Sequence, residues 1–267
     1  MTKDFKIKLK THCKHNLFKF SLQPMLSPHK EINQNLLSKF FLTLLDTERT
    51  LEACRKTLSD HKQFDGYSLF KCIDKKGAGF IRIQDLVDFM NLIQLYLSRS
   101  QAAALFHCLD FCNDGVLNYM EFLNAILPKK SYPLLKFSHQ SSKTPQQDKS
   151  LELDCILRDF SNLLLEYINS YLALESIRNQ FDLENGSNLP YYFGLVDKEG
   201  KGVWIDDDIY GFLRGGNGGV GVGVGYDDVG VIIGVFSKWG CEVTLGEFGG
   251  YFRRSEERGR KVKESRG

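Results

Sequence analysis

The chain has 267 residues, 42% hydrophobic and 25% charged, the balance of a folded protein with room for one large domain or two small ones. Its apolar stretches are short, Phe40 to Leu45 being broken by Thr43, which excludes a bilayer-spanning helix. Net charge is +2 overall, yet residues 1–20 carry +5 and residues 253–267 carry +4, leaving −7 for the body between them.

The first twenty residues spread six lysines among apolar residues, with no continuous apolar core or small-residue cleavage site, so no secretory signal is expected. Residues 1–30 read as a basic N-terminal segment and 253–267 as a basic tail, both solvated and able to touch acidic surfaces. Few aromatics accompany the charge beyond Phe5, Phe18 and Phe20, so no nucleic-acid partner is expected. The seven cysteines are irregularly spaced, which fits a reducing compartment. A cytoplasmic location follows as the expectation, with cytoskeletal association one form of it.

Residues 31–62 place Leu36, Leu37, Phe40, Leu44, Leu51 and Cys54 at helical spacing. Two stretches then share a frame: Leu69-Phe70-Lys71-Cys72-Ile73-Asp74 through Asp85-Leu86, and Leu105-Phe106-His107-Cys108-Leu109-Asp110 through Glu121-Phe122. Each has a glycine five residues after its first acid (Gly79, Gly115) and an aliphatic two further on (Ile81, Leu117). Residues 129–150, with Pro133, Pro145 and a Ser/Gln-rich run, read as a flexible linker. A second connector helix follows over 151–182, with Leu153, Leu157, Phe160, Leu164, Ile168 and Tyr171 in register. Both connector helices are expected to pack on the half of the chain that follows them, or to cover its groove.

A third copy of the frame runs from Tyr192-Phe193 through Asp197, Gly202 and Trp204 to Asp208-Ile209. A worn fourth runs from Ile232-Ile233 through Ser237 to Glu247-Phe248, one residue short. Apolar stripes precede and follow all four loops at one-face helical spacing, with Gly66 as the single failure in the first copy. Fourteen of the 24 glycines fall between Gly211 and Gly250, which predicts a less stable C-terminal pair.

These helix–loop–helix units resemble EF-hands, and four of them in two pairs is similar to the calmodulin-like family. The resemblance implies an all-α fold with two lobes, residues 31–128 and 151–252, each an EF-hand pair with its preceding helix. It also implies short antiparallel pairing of Ile81 with Leu117 and of Trp204 with Val243.

An EF-hand loop ligates a dication through positions 1, 3, 5, 7, 9 and 12 and bends at a glycine at position 6. The first loop puts Lys76 at position 3 and Ala78 at position 5, so it reads as a structural partner. The second is the best loop: Asp110, Cys112, Asp114, Val116, Asn118 and Glu121 fall at the ligand positions, with only the soft sulfur of Cys112 out of character. Calcium is expected there, at an affinity of about 10⁻⁵ to 10⁻³ M. The third has Asp197, Glu199 and Asp208 but Lys201 at position 5, which leaves magnesium or no ion. The fourth keeps only Glu247, beside Ser237, Trp239 and Cys241.

Other signals carry less. Gly216 to Gly221 matches G-x-G-x-x-G but lies in low-complexity glycine after a helix instead of opening from a strand. His12, Cys13 and His15, and His107, Cys108 and Cys112, lack a second pair at zinc spacing. No nucleophile–base pair or phosphate loop is visible, so no enzyme is expected. Two functions remain open: a calcium-responsive regulator or adaptor of a protein partner (a helix or peptide), and a calcium-independent EF-hand scaffold.

Overall fold

In the computed structural model the structure describes residues 29–129, 146–185, 188–215, 223–237 and 242–252. The basic N-terminal segment, the basic tail, most of the linker, the glycine run 216–221 and residues 238–241 of the fourth loop lie outside the described residues.

The first lobe follows helix α1 (His29–Ser59) and runs α2 (Gly66–Ile73), β1 (Phe80–Ile81), α3 (Ile83–Leu92), α4 (Arg99–Leu109), β2 (Leu117–Asn118) and α5 (Tyr119–Ile126). Its helices begin where side chains satisfy the free N–H groups of a first turn. Asp65 accepts from Tyr67 N and Ser68 N, and Ser98 forms a capping box with Gln101. β1 and β2 are antiparallel, with Ile81 opposite Leu117.

Helix α6 (Gln146–Asn185) leads to the second lobe: α7 (Leu189–Val196), β3 (Val203–Trp204), α8 (Asp206–Gly215), α9 (Tyr226–Phe236), β4 (Val243–Thr244) and a last helix, α10, over 245–252. Asn188 caps α7, and Pro190 sits in its first turn, where no N–H is missed. β3 pairs with β4, with Trp204 opposite Val243. The Trp204 ring is buried and its Nε1 donates to the Phe193 carbonyl at 3.0 Å. The fold is thus mostly helical, with two short strand pairs, in agreement with the all-α expectation.

The stripes flanking the loops are the two cores. Leu69, Phe70, Ile73, Leu86, Phe89, Leu105, Phe106, Leu109, Phe122 and Ile126 form the first, and Tyr192, Phe193, Val196, Ile209, Phe212, Ile232, Ile233 and Phe248 the second. The missing apolar residue at Gly66 has a packing cause. A Cβ there would stand 2.7 Å from Leu123 Cδ2, so α5 closes on the backbone of α2.

The connector helices depart from expectation. Each serves both lobes. Along α1, Leu36, Leu37, Phe40, Phe41 and Leu44 belong to the second core, while Leu51 and Leu58 belong to the first. Along α6 the order is reversed: Ile156, Phe160, Leu163, Leu164 and Ile168 fill the first core, and Ile177 and Phe181 the second. The two helices therefore run antiparallel against each other across both lobes.

One polar network fastens them to α5. Arg55, 2% exposed, donates from Nε to the Ala125 carbonyl at 3.1 Å and from Nη2 to Tyr167 Oη at 2.8 Å. Tyr167 Oη in turn donates to the same carbonyl at 2.8 Å. Glu52 meets Nη1 at 3.3 Å, so the buried guanidinium is both hydrogen-bonded and charge-paired. Burial pushes the Tyr167 hydroxyl up to about 12, against the opposing pull of Arg55, and it stays a donor at neutral pH.

Candidate metal centre

The second loop begins where α4 ends, Asp110 N still donating to the Phe106 carbonyl. It then turns sharply twice. Asn113 (φ 58°) and Gly115 (φ 85°) both take left-handed backbone. Asp110 Oδ2 accepts Gly115 N at 2.9 Å, and Asp114 Oδ1 accepts Val116 N at 2.9 Å. Ligand atoms of Asp110, Cys112 and Asp114 all lie within 4.8 Å of one another. Sequence positions 1, 3 and 5 of the best loop are thus brought together.

Glu121 ties the far end of the loop back to this cluster. Its Oε1 accepts Cys112 N at 3.0 Å and its Oε2 accepts Asn118 N at 3.1 Å. Asn118 Oδ1 answers by accepting Glu121 N at 3.0 Å, which caps α5. Burial alone would raise the Glu121 carboxyl, but the Cys112 thiol and the N–H groups of Cys112 and Asn118 hold it below its ordinary value. The same contact pushes the Cys112 thiol up to about 11, so at neutral pH it is a neutral sulfur beside carboxylates. This donor set suits a hard dication at every position but Cys112. Asp110, Asp114, the Val116 carbonyl, Asn118 and Glu121 are the groups that would hold it.

The first loop repeats the turn without the ligands. Gly77 (φ 66°) and Gly79 (φ 83°) are left-handed, and Asp74 accepts Ala78 N at 2.8 Å and Gly79 N at 2.9 Å. Burial raises the Asp74 carboxyl, while the N–H groups of Gly79 and Ala78, with Lys71 near, hold it low. Lys76 Nζ stands 3.3 Å from Asp85 Oδ1.

The third loop has the same backbone, with Gly200 (φ 69°) and Gly202 (φ 79°) left-handed. Asp197 accepts Lys201 N at 2.8 Å and Gly202 N at 2.7 Å. Lys201 Nζ lies 2.9 Å from Asp208 Oδ1 and 3.7 Å from Glu199 Oε2. Its pKa is raised, chiefly by the hydrogen bond to Asp208. The structure gathers Glu199 and Asp208 around an ammonium group. In the fourth loop, Glu247 Oε2 accepts Thr244 N and Thr244 Oγ1, each at 2.9 Å.

Two features escaped the sequence reading. The left-handed residue at loop position 4 was overlooked, although Gly77-x-Gly79 and Gly200-x-Gly202 repeat it openly. Lys76 and Lys201 stand at ligand positions in the sequence, and in the fold each closes onto the acid at position 12. Phe111, at position 2 of the second loop, is 81% exposed.

Comparison with known proteins agrees with the first lobe. Residues 65–127 match the family model of the EF-hand domain pair. No curated protein matches the chain. Among solved structures, the crystal structure of a C-terminal domain is 13% identical, covering 86% of this chain and 99% of that one, with a TM-score of 0.22. Residues 65–127, the two helix–loop–helix units that begin their turns at Asp74 and Asp110, are an EF-hand domain pair.

Proposed function

We propose that this chain is a calcium-binding EF-hand protein with one working ion loop, Asp110 to Glu121, and that it acts as a calcium-responsive regulator or adaptor of a protein partner. The observation that carries this reading is the clustering of Asp110, Cys112 and Asp114 within 4.8 Å, in a loop closed by Glu121. The other loops keep the architecture. Lys76 and Lys201 supply internal cations, and magnesium on Asp197, Glu199 and Asp208 would first have to displace Lys201. The second lobe, with its paired strands and matching turns, is read as a further, degenerate pair of the calmodulin-like kind.

The partner would be a helix or peptide. Phe106, Leu109, Phe122 and Ile126, the apolar face an opening lobe would offer, belong to the core that Phe160, Leu163 and Leu164 of α6 complete. In this reading α6 is a built-in occupant, and ion capture favours a partner that takes its place. The role is binding, not catalysis. Cys54, Cys72, Cys108, Cys112 and Cys155 are free thiols, and among the described residues no helix is long and apolar enough to cross a membrane. The free thiols support a cytoplasmic setting.

The filled grooves and the two internal lysines favour a second reading, a calcium-independent scaffold. Isothermal titration of the full chain with calcium, beside Glu121→Gln, separates them. The regulator gives saturable heat that the variant loses. An absence of heat in the parent protein leaves the scaffold.

A further inference from the structure

The first and third loops each set an ammonium against the acid at position 12, Lys76 on Asp85 and Lys201 on Asp208. The second loop has no such cation. Asp110 is 5% exposed and Glu121 8%, yet among the described residues no lysine or arginine pairs with Asp110, Asp114 or Glu121. Backbone N–H groups satisfy the carboxylate oxygens but not their charge. Buried carboxylates without a counter-charge are costly, so this loop calls for a cation from outside. The match of residues 65–127 to an EF-hand pair points independently to a dication.

The donor set narrows which one. Cys112 is exposed, its Sγ stands 3.8 Å from Asp110 Oδ1, and ligand atoms of Asp110, Cys112 and Asp114 lie within 4.8 Å of one another. The thiol also bonds the Glu121 carboxylate, so an ion that touches Asp110 and Glu121 meets the sulfur. Calcium takes about six to eight oxygens, and Cys112 costs it one of them. Zinc takes only about four donors, at about 2.3 Å to sulfur and about 2.0–2.2 Å to carboxylate oxygen. At the tetrahedral angle those lengths put sulfur and oxygen about 3.6 Å apart, close to the 3.8 Å between Cys112 and Asp110. Thiolate ligands favour ions of this kind over hard ones.

We propose that the Asp110–Glu121 loop is a site for a thiophilic dication of the zinc class, held by Asp110, Cys112, Asp114 and Glu121, which displaces calcium there. The inference rests on the reading of this loop as a dication site and names the ion it prefers. On binding, the Cys112 S–H bond breaks, the sulfur bonds the metal and the proton passes to solvent; nothing is oxidised or reduced.

The test uses the reduced full chain in metal-buffered solution. Iodoacetamide modification of Cys112 is localised by mass spectrometry, so that ions held elsewhere do not enter the reading. Free Zn²⁺ should slow modification of Cys112 about tenfold or more, at a concentration where Ca²⁺ leaves the rate unchanged. Glu121→Gln and Asp114→Asn should each raise the Zn²⁺ needed for half-protection about tenfold, with circular dichroism confirming the fold. In calorimetry, prior Zn²⁺ should abolish the calcium heat of the parent protein but not that of Cys112→Ser. Equal rates of modification with and without Zn²⁺, or equal protection in Glu121→Gln and Asp114→Asn, would overturn the proposal. Calcium heat without zinc protection would overturn it too and leave the calcium reading standing. Zinc protection without calcium heat would support it and remove calcium from the loop.

Discussion

Lys201 Nζ stands 2.9 Å from Asp208 Oδ1, inside a loop whose backbone turns like that of its neighbour around Asp110. The ammonium of position 5 thus pairs with the acid of position 12. Lys201→Asn restores an oxygen at position 5 and frees Asp208. In a Glu121→Gln background, which takes one carboxylate from the second loop, this variant should gain a calcium-dependent rise in melting temperature that the background lacks. An unchanged melt would show that Lys201 is not what keeps cations out.

Cys112 is the one soft donor in the second loop. Cys112→Asp adds a fourth carboxylate to Asp110, Asp114 and Glu121, and the dissociation constant for calcium should fall about tenfold or more by titration calorimetry. The same variant should melt lower in chelator, because four carboxylates then crowd one another without an ion.

Acid stability follows from Asp74 and Glu121, whose folded pKa values are depressed. Such groups contribute stability above their unfolded values, about 3.9 for Asp and 4.3 for Glu, and lose it as pH falls through the folded ones. Urea unfolding in chelator should give a flat stability down to about pH 4.5 and a decline below it. Glu121→Gln should make the decline shallower. A decline of the same steepness would remove Glu121 from the account.

Arg55 and Tyr167 test the polar fastening of the long helices. Arg55→Ala removes packing and leaves Tyr167 and the Ala125 carbonyl with fewer partners, at a cost of about 2–4 kcal/mol. Tyr167→Phe should cost about 1–2 kcal/mol. Because the residues share partners, the double variant should lose less than the sum, as chemical denaturation would show.

Glycine in the second lobe is a reserve of stability. Gly211 in α8 and Gly230 in α9 have open space where a Cβ would sit, and each change to Ala should add about 0.5–1 kcal/mol. Gly115→Ala should do the reverse, because φ is +85° there.

The loops and the stripes beside them were legible in the sequence because they follow from local spacing, and the pairings Ile81–Leu117 and Trp204–Val243 were implied by the resemblance to EF-hands. The partners of α1 and α6 were not. Periodicity marks which face of a helix is buried, but Phe40 and Leu51 share one stripe and end in different cores. Gly66 looked like a defect because its neighbour, Leu123, lies 57 positions away in sequence. The ion pairs of Lys76 and Lys201 were hidden for a similar reason: their charge was plain, but not the acid each would reach.

The reversed course of α1 and α6 carries a consequence for anyone who cuts this protein in two. A fragment ending near Lys129 would keep Phe40 and Phe41 with no Trp204 or Phe212 to meet them, and its own core would lose Phe160, which packs on Phe89 and Phe122. The halves are joined like a dovetail. Expressed separately they should be sticky and poorly soluble; mixed, they should rescue each other.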